Sequence, residues 1–267
     1  MKRSKFCIVV LSLVLLFLYL PIAVLIANSF NISKYGGEWI GFTFKWYKVL
    51  FAPNNREIWM AFERSLIIAT LATIASCVLG TTAAIALHRW KGRIQTAHYG
   101  LIYAPLVMPE ILMGISLLMM FTAVGVGCGM ITIFIAHVTF CVSYVTMTVL
   151  ARLQDFDDRI IEAAYDLGAS PLNAFFKVTL PILLPGIVAG GLLAFTLSID
   201  DFVITFFVTG PGADTLPLKI YSMIKHSRQM PVINSLSTLM LVFTCALVAA
   251  SRFLSNRRQQ HSSKLKK

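Results

Sequence analysis

Apolar residues run in long unbroken blocks along this chain, and polar residues are confined to the intervals between them. A helix needs about 20 apolar residues to cross the hydrocarbon of a bilayer. Six blocks reach roughly that length: Phe6–Asn28, Ser65–His88, Tyr99–Val124, Met130–Ala151, Pro181–Val208 and Val232–Phe253. The pattern predicts an all-α membrane protein with six transmembrane helices, forming a single transmembrane domain over residues 1–267. The first block follows Lys2, Arg3 and Lys5, as a signal peptide would. Its apolar run is too long for one, however, and no A-x-A site follows, so it reads as an uncleaved helix.

Composition agrees. The chain is 57% hydrophobic and 13% charged, against about 25% charged residues in soluble domains. Basic residues then set the orientation. With the N-terminus inside, fifteen of the 23 Lys and Arg fall on the inner side and eight in the outer loops. This bias predicts cytoplasmic N- and C-termini. The net charge of +11 is explained by orientation and by attraction of the basic tail, residues 254–267, to anionic lipid. Nucleic acid is not expected as a partner. The five cysteines form no C-x-x-C pair, and four lie in apolar runs where Cys behaves as a small hydrophobe. No metal site is expected.

One polar insert breaks the pattern. Residues 162–181 read EAAYDLGASPLNAFFKVTLP, between two apolar blocks and on the inner side. Asp157 or Asp158 can cap a short helix ending at Leu167, and Gly168 can terminate it in the left-handed conformation. Ser170 as N-cap and Pro171 at the first helical position restart a second short helix carrying Phe175 and Phe176. Glu162 and Asp166 offer charge to a basic rim, Ala163 and Ala164 permit close approach, and the phenylalanines can enter a partner's groove.

The pattern of Glu162, Ala163, Ala164, Gly168, Leu180 and Pro181 resembles the EAA loop of ABC importer permeases, with Val178 where that family usually has Ile. The resemblance extends over a core of about 64–253, with the EAA loop at about 152–181. Three stretches narrow it to the spermidine/putrescine importer permeases: APLVMPEILMGISLL (Ala104–Leu118), IAHVTFCVSYV (Ile135–Val145) and FTLSIDDFVITFFVTGPGADTLP (Phe195–Pro217). The resemblance implies a MetI-like permease fold with a cytoplasmic coupling-helix loop, in a bacterial inner membrane. It implies a second and different permease subunit, two ATPase subunits that bind ATP and Mg, and a periplasmic or extracellular polyamine-binding protein. It implies no cofactor on this chain and no catalysis by it. The residues agree, since no G-x-x-x-x-G-K-[ST] loop, G-x-S-x-G elbow or H-E-x-x-H pair occurs.

The acids within the apolar blocks bear on cargo. Ionisable side chains in hydrocarbon are costly and mark functional candidates. Glu110, Asp200 and Asp201 lie within the blocks, and no Lys or Arg lies in their central parts. Acids without basic partners suit a path for a cation. Pro105 and Pro109 should bend the third span beside Glu110. Adjacent helical residues diverge by about 100°, so only one of Asp200 and Asp201 should face the path, with the other bonded to Ser198, Thr205 or a partner subunit. Thr205 joins the candidate pathway residues. His137 reads as a helix–helix hydrogen bond rather than a proton relay, and Gly186, Gly190 and Gly191 as a close-packing face of span five. The aromatic outer loop Phe30–Arg64, with Tyr35, Trp39, Trp46, Tyr47 and Trp59, predicts an interfacial helix at headgroup depth. Thr209–Pro217 reads as an outer turn suited to contact with a binding protein.

Rival readings keep the same acids. A cation channel or facilitator would need no insert at Glu162–Pro181, and an intramembrane enzyme would need a recognised catalytic spacing. Permeases for iron, molybdate or sugar share the EAA loop, whereas an anionic cargo would call for intramembrane Arg or Lys.

Overall fold

The structure is a computed structural model that describes residues 5–34, 38–90, 92, 94–154, 156–157, 159–226 and 230–246. Tyr35, Asp158 and the basic tail lie outside them. The chain forms two compact units, one of residues 1–59 with 219–267, the other of residues 60–218.

In the first unit, α1 (Lys5–Ser29) carries the first apolar block, and none of its most apolar stretch is buried within the chain. Of the interfacial helix that its aromatics suggest, the loop after it forms a short helix carrying Trp46 and Tyr47. Asn31 pairs with Phe42 in an isolated bridge, and its side chain accepts from Ser33 N and Ile40 N and donates to Glu38 O. Phe42 stacks on Phe30, with Phe44 edge-on to both. Before Pro53, helix is confined to Lys45–Leu50 (α2), because the aromatic cluster and the Asn31 side chain hold the preceding backbone in turns; a 3-10 turn over Pro53–Asn55 then leads into the next helix at Arg56. Trp46 donates to Asn31 O and Trp59 to Leu50 O. The apolar helix α12 (Met230–Ala246) returns to this unit, where Ser235 donates to Ser29 O. The remainder of the sixth predicted span, from 247, lies outside the described residues.

The second unit holds most of α3 (Arg56–Arg89), then α4 (Gln95–Val107), α5 (Glu110–Ala123), α6 (Met130–Gln154), α7 (Arg159–Asp166), α8 (Pro171–Ala174), α9 (Leu180–Asp200) and α10 (Val203–Val208); α11 (Leu216–His226) starts at its end and belongs mostly to the first unit. Its core is the packing of α9 on α6. A Cβ on Gly190 would lie 3.2 Å from Val145 Cα, one on Gly186 3.1 Å from Arg152 Cβ, and one on Gly191 2.8 Å from Cys77 Sγ. Without a hydrophobic driving force between helices in lipid, such small residues let backbones approach and gain dispersion contacts. The close-packing face expected at these glycines is present.

Among the described residues, four helical stretches are long and apolar enough to cross a membrane: Lys5–Ser29, Pro53–Arg89, Met130–Gln154 and Pro171–Asp200. The third predicted span, by contrast, is not one helix. It breaks between α4 and α5 through 109°, a fifth crossing if the pair counts as one. Pro109 is the cause: the residue before a proline is driven out of the helical region, and Met108 takes ψ 133°. The fifth predicted span also ends early. Asp201 is extended, with ψ 127°, and α10 restarts at Val203.

Candidate functional site

Two places concentrate the chemistry singled out in the sequence. The first is the insert between α6 and α9. Asp157 caps α7 by accepting from Arg159 N at 3.1 Å. Gly168 adopts φ +81° and Ala169 N donates to Ala164 O, so the chain turns where the left-handed residue permits it. Ser170 then accepts from Asn173 N with Pro171 behind it, as the sequence predicts.

The second short helix, however, does not exist as a separate element. Pro171–Asp200 is one helical stretch of 30 residues. A π turn over Phe175–Thr179 joins α8 to α9, with Leu180 N donating to Phe175 O. Pro181 supplies the physical reason, since its ring would clash with the carbonyl four residues back in a regular helix, and a widened turn relieves this. Glu162, Ala163 and Asp166 are exposed, Ala164 is half-buried, and Ile161 and Ala174 anchor the segment from below. Phe175 is half-buried against exposed Phe176, at 5.0 Å between ring centres. Leu167, Leu172 and Phe176 together leave an apolar face open, Leu167 being 89% exposed. Leu180, half-buried, and Pro181, exposed, lie at the start of α9.

The second place is a cavity of about 320 Å³ where α4, α5, α6, α9 and α10 meet. Glu110, Asp200 and Asp201 all line it. One aspartate was expected to bond Ser198, Thr205 or a partner subunit, and Asp201 does bond Thr205, yet both aspartates reach the cavity wall. The 100° rule holds within a helix, and the helix ends between these two residues. Their roles nevertheless divide. Asp201 is 6% exposed and fully engaged. Its Oδ2 accepts from Thr205 N at 2.8 Å and Thr205 Oγ1 at 2.7 Å, its Oδ1 accepts from Ile204 N at 3.3 Å, and His137 Nε2 stands 3.3 Å away. It caps α10. Asp200 and Glu110 are exposed, and among the described residues neither has a hydrogen bond or ion pair. Glu110 opens α5, where a carboxylate meets the positive end of the helix.

Thr205 does not line the cavity. It is fully buried and belongs to the cap. His137 is the helix–helix bond expected of it, but to partners the sequence did not indicate: Nδ1 lies 2.7 Å from Ser198 Oγ and Nε2 3.0 Å from Thr205 Oγ1. Phe140 and Tyr144 on the cavity wall were also missed. Their spacing from His137, three and seven residues, is a helical face that could have marked them.

The turn at Thr209–Pro217 is held tightly to the α5–α6 loop. A Cβ on Gly210 would lie 1.9 Å from Cys128 O, and Thr132 donates to Val208 O. Arg64 donates to Asp214 O, and Leu216 N to Ser65 Oγ.

Comparison with known proteins places this architecture. Residues 76–260 match the family described as binding-protein-dependent transport system inner membrane component. The chain is 41% identical over 259 residues to the spermidine/putrescine transport system permease protein PotC of Haemophilus influenzae, covering 97% of this chain and 98% of that protein. It is 45% identical over 246 residues to the putrescine transport system permease protein PotI of Escherichia coli, covering 90% and 86%. A solved bacterial ABC transporter involved in alginate import superposes with a TM-score of 0.71 at 14% identity, over 94% of each chain. The MetNI methionine ABC transporter, in an inward facing conformation, gives 0.61 at 18%, over 76% and 94%. At these identities the two structures speak for the fold alone, an all-helical MetI-like permease fold. By fold and by sequence, this chain belongs to the family of binding-protein-dependent transport system inner membrane components.

Proposed function

We propose that this chain is the permease subunit of an ATP-driven polyamine importer in a bacterial inner membrane. The observation that carries the proposal is the near full-length identity to PotC and PotI, at 41% and 45%. The cavity fits the cargo. Polyamines carry several ammonium groups on a flexible chain, and unpaired carboxylates at Asp200 and Glu110 beside the rings of Phe140 and Tyr144 offer ionic and cation–π contacts. Six crossings with both termini cytoplasmic complete the reading, as do a second, different permease and a polyamine-binding protein that meets the outer turn at Thr209–Pro217.

The segment from Glu162 to Pro181 is the docking surface for an ATPase pair that binds ATP and Mg. Leu167, Leu172 and Phe176 would enter its groove, while Glu162 and Asp166 meet a basic rim. Closure of the ATPases on ATP would draw the two permeases' segments together and open the cavity outward to receive the amine. Hydrolysis would reset it inward. Because the docking segment from Pro171 onward and α9 are one helical stretch, that movement reaches Asp200 directly.

The test is uptake of labelled putrescine by the assembled importer carrying Asp200→Asn. Loss of one charge-assisted contact should raise KM about tenfold. Unchanged uptake kinetics would remove Asp200 from the path. In parallel, Gly168→Asp should abolish amine-stimulated ATP hydrolysis, and full stimulation would sink the docking assignment.

A further inference from the structure

His137 does not line the cavity, yet its ring bonds to both sides of the break where α9 ends. Ser198 precedes the break and Thr205 follows it, and His137 on α6 reaches both, at 2.7 Å and 3.0 Å. Thr205 Oγ1 spends its single proton on Asp201 Oδ2. Toward His137 it can therefore only accept, so Nε2 carries a proton and faces the oxygen pair of Thr205 and Asp201. The ring is 1% exposed. A helix–helix bond in lipid needs one polar partner, whereas here both nitrogens are committed, one to each side of a helix end.

We propose that His137 is a positioning residue that sets the angle of the α9–α10 break, and with it the spacing between the free carboxylates of Asp200 and Glu110. The proposal rests on the polyamine reading above. Asp200 is the last residue of α9 and its carboxylate has no hydrogen bond among the described residues, so the backbone of the break determines where it points. α10 in turn lies on α5: a Cβ on Gly114 would stand 2.6 Å from the Phe207 ring and 3.4 Å from Ile204 Cα. α5 begins with Glu110. Fixing α9 to α10 therefore fixes one carboxylate relative to the other. Two carboxylates at a fixed spacing measure the distance between two ammonium groups. His137 thus governs selectivity among amines of different length without touching them.

The test uses the complete importer with its binding protein, and competition of labelled putrescine uptake by 1,3-diaminopropane, putrescine, cadaverine and spermidine. His137→Leu removes both bonds at similar volume and should narrow the spread of apparent affinities about tenfold, with maximal velocity changed less than about threefold. His137→Gln, which can still donate and accept, should restore most of the spread. Ser198→Ala, which removes only the Nδ1 partner, should narrow it about threefold, and it carries the test if His137→Leu fails to assemble. An unchanged spread in both His137→Leu and Ser198→Ala would overturn the positioning role. So would an equal loss of affinity for every amine, or His137→Gln as impaired as His137→Leu. No amine uptake by the unaltered importer would instead sink the polyamine reading itself.

Discussion

Gly210 shows how little room a single position can leave. Any side chain there must displace the carbonyl of Cys128, since a Cβ would lie 1.9 Å from that oxygen. Gly210→Ala should therefore lower the thermal stability of the purified importer by about 1–3 kcal/mol, the usual cost of overpacking. Gly127→Ala, in the neighbouring loop with nothing within 4 Å, should leave it unchanged. Differential scanning fluorimetry in detergent compares the two directly. Gly168 is constrained differently. Its surroundings are open, but φ is +81°, so Gly168→Ala meets backbone strain of about 1 kcal/mol rather than a clash. That variant should assemble normally and still lower coupling of ATP hydrolysis to uptake, read as amines transported per ATP.

At the scale of the element, Pro181 follows an irregular turn within the single helical stretch Pro171–Asp200. Replacing it with alanine restores the missing N–H and removes the ring, so the π turn over Phe175–Thr179 should relax toward a regular helix. The proposed docking face bearing Leu172 and Phe176 would then rotate relative to α9. Amine-stimulated ATP hydrolysis should fall in Pro181→Ala while binding-protein docking persists, and equal stimulation in both proteins would refute this. The caps and breakers of this region were legible in the sequence because each acts locally. Gly168, Ser170 and Pro171 need only their neighbours in the chain to fix a conformation. The π turn was not legible, because the same residues are compatible with a regular helix and only the meeting of Pro181 with an already formed turn decides. Similarly, hydropathy marked span three but not its 109° bend, and treated Pro181–Val208 as one helix. A cap made by Asp201 on Thr205 costs nothing in mean hydropathy and so leaves no trace in it. The partners of His137 lie 61 and 68 residues away, beyond any local pattern.

For the whole molecule, orientation in the membrane rests on the distribution of Lys and Arg, and it can be read directly. In a cysteine-free background, Asn54→Cys should react with a membrane-impermeant maleimide in intact spheroplasts, and Asn173→Cys only after the membrane is opened. The reverse pattern would invert the topology. Orientation gives one feature of the fold a mechanical meaning. Pro171–Asp200 is 30 residues of continuous helix, which at 1.5 Å per residue is a rod of about 45 Å. A tilt of about 5° at one end displaces the other by about 4 Å over such a length. A charge-assisted contact between ammonium and carboxylate spans only about 2.8 Å. On the proposed function, the helix would therefore act as a lever whose gain turns a slight rocking of its docking end into the whole distance between holding a cation and losing it.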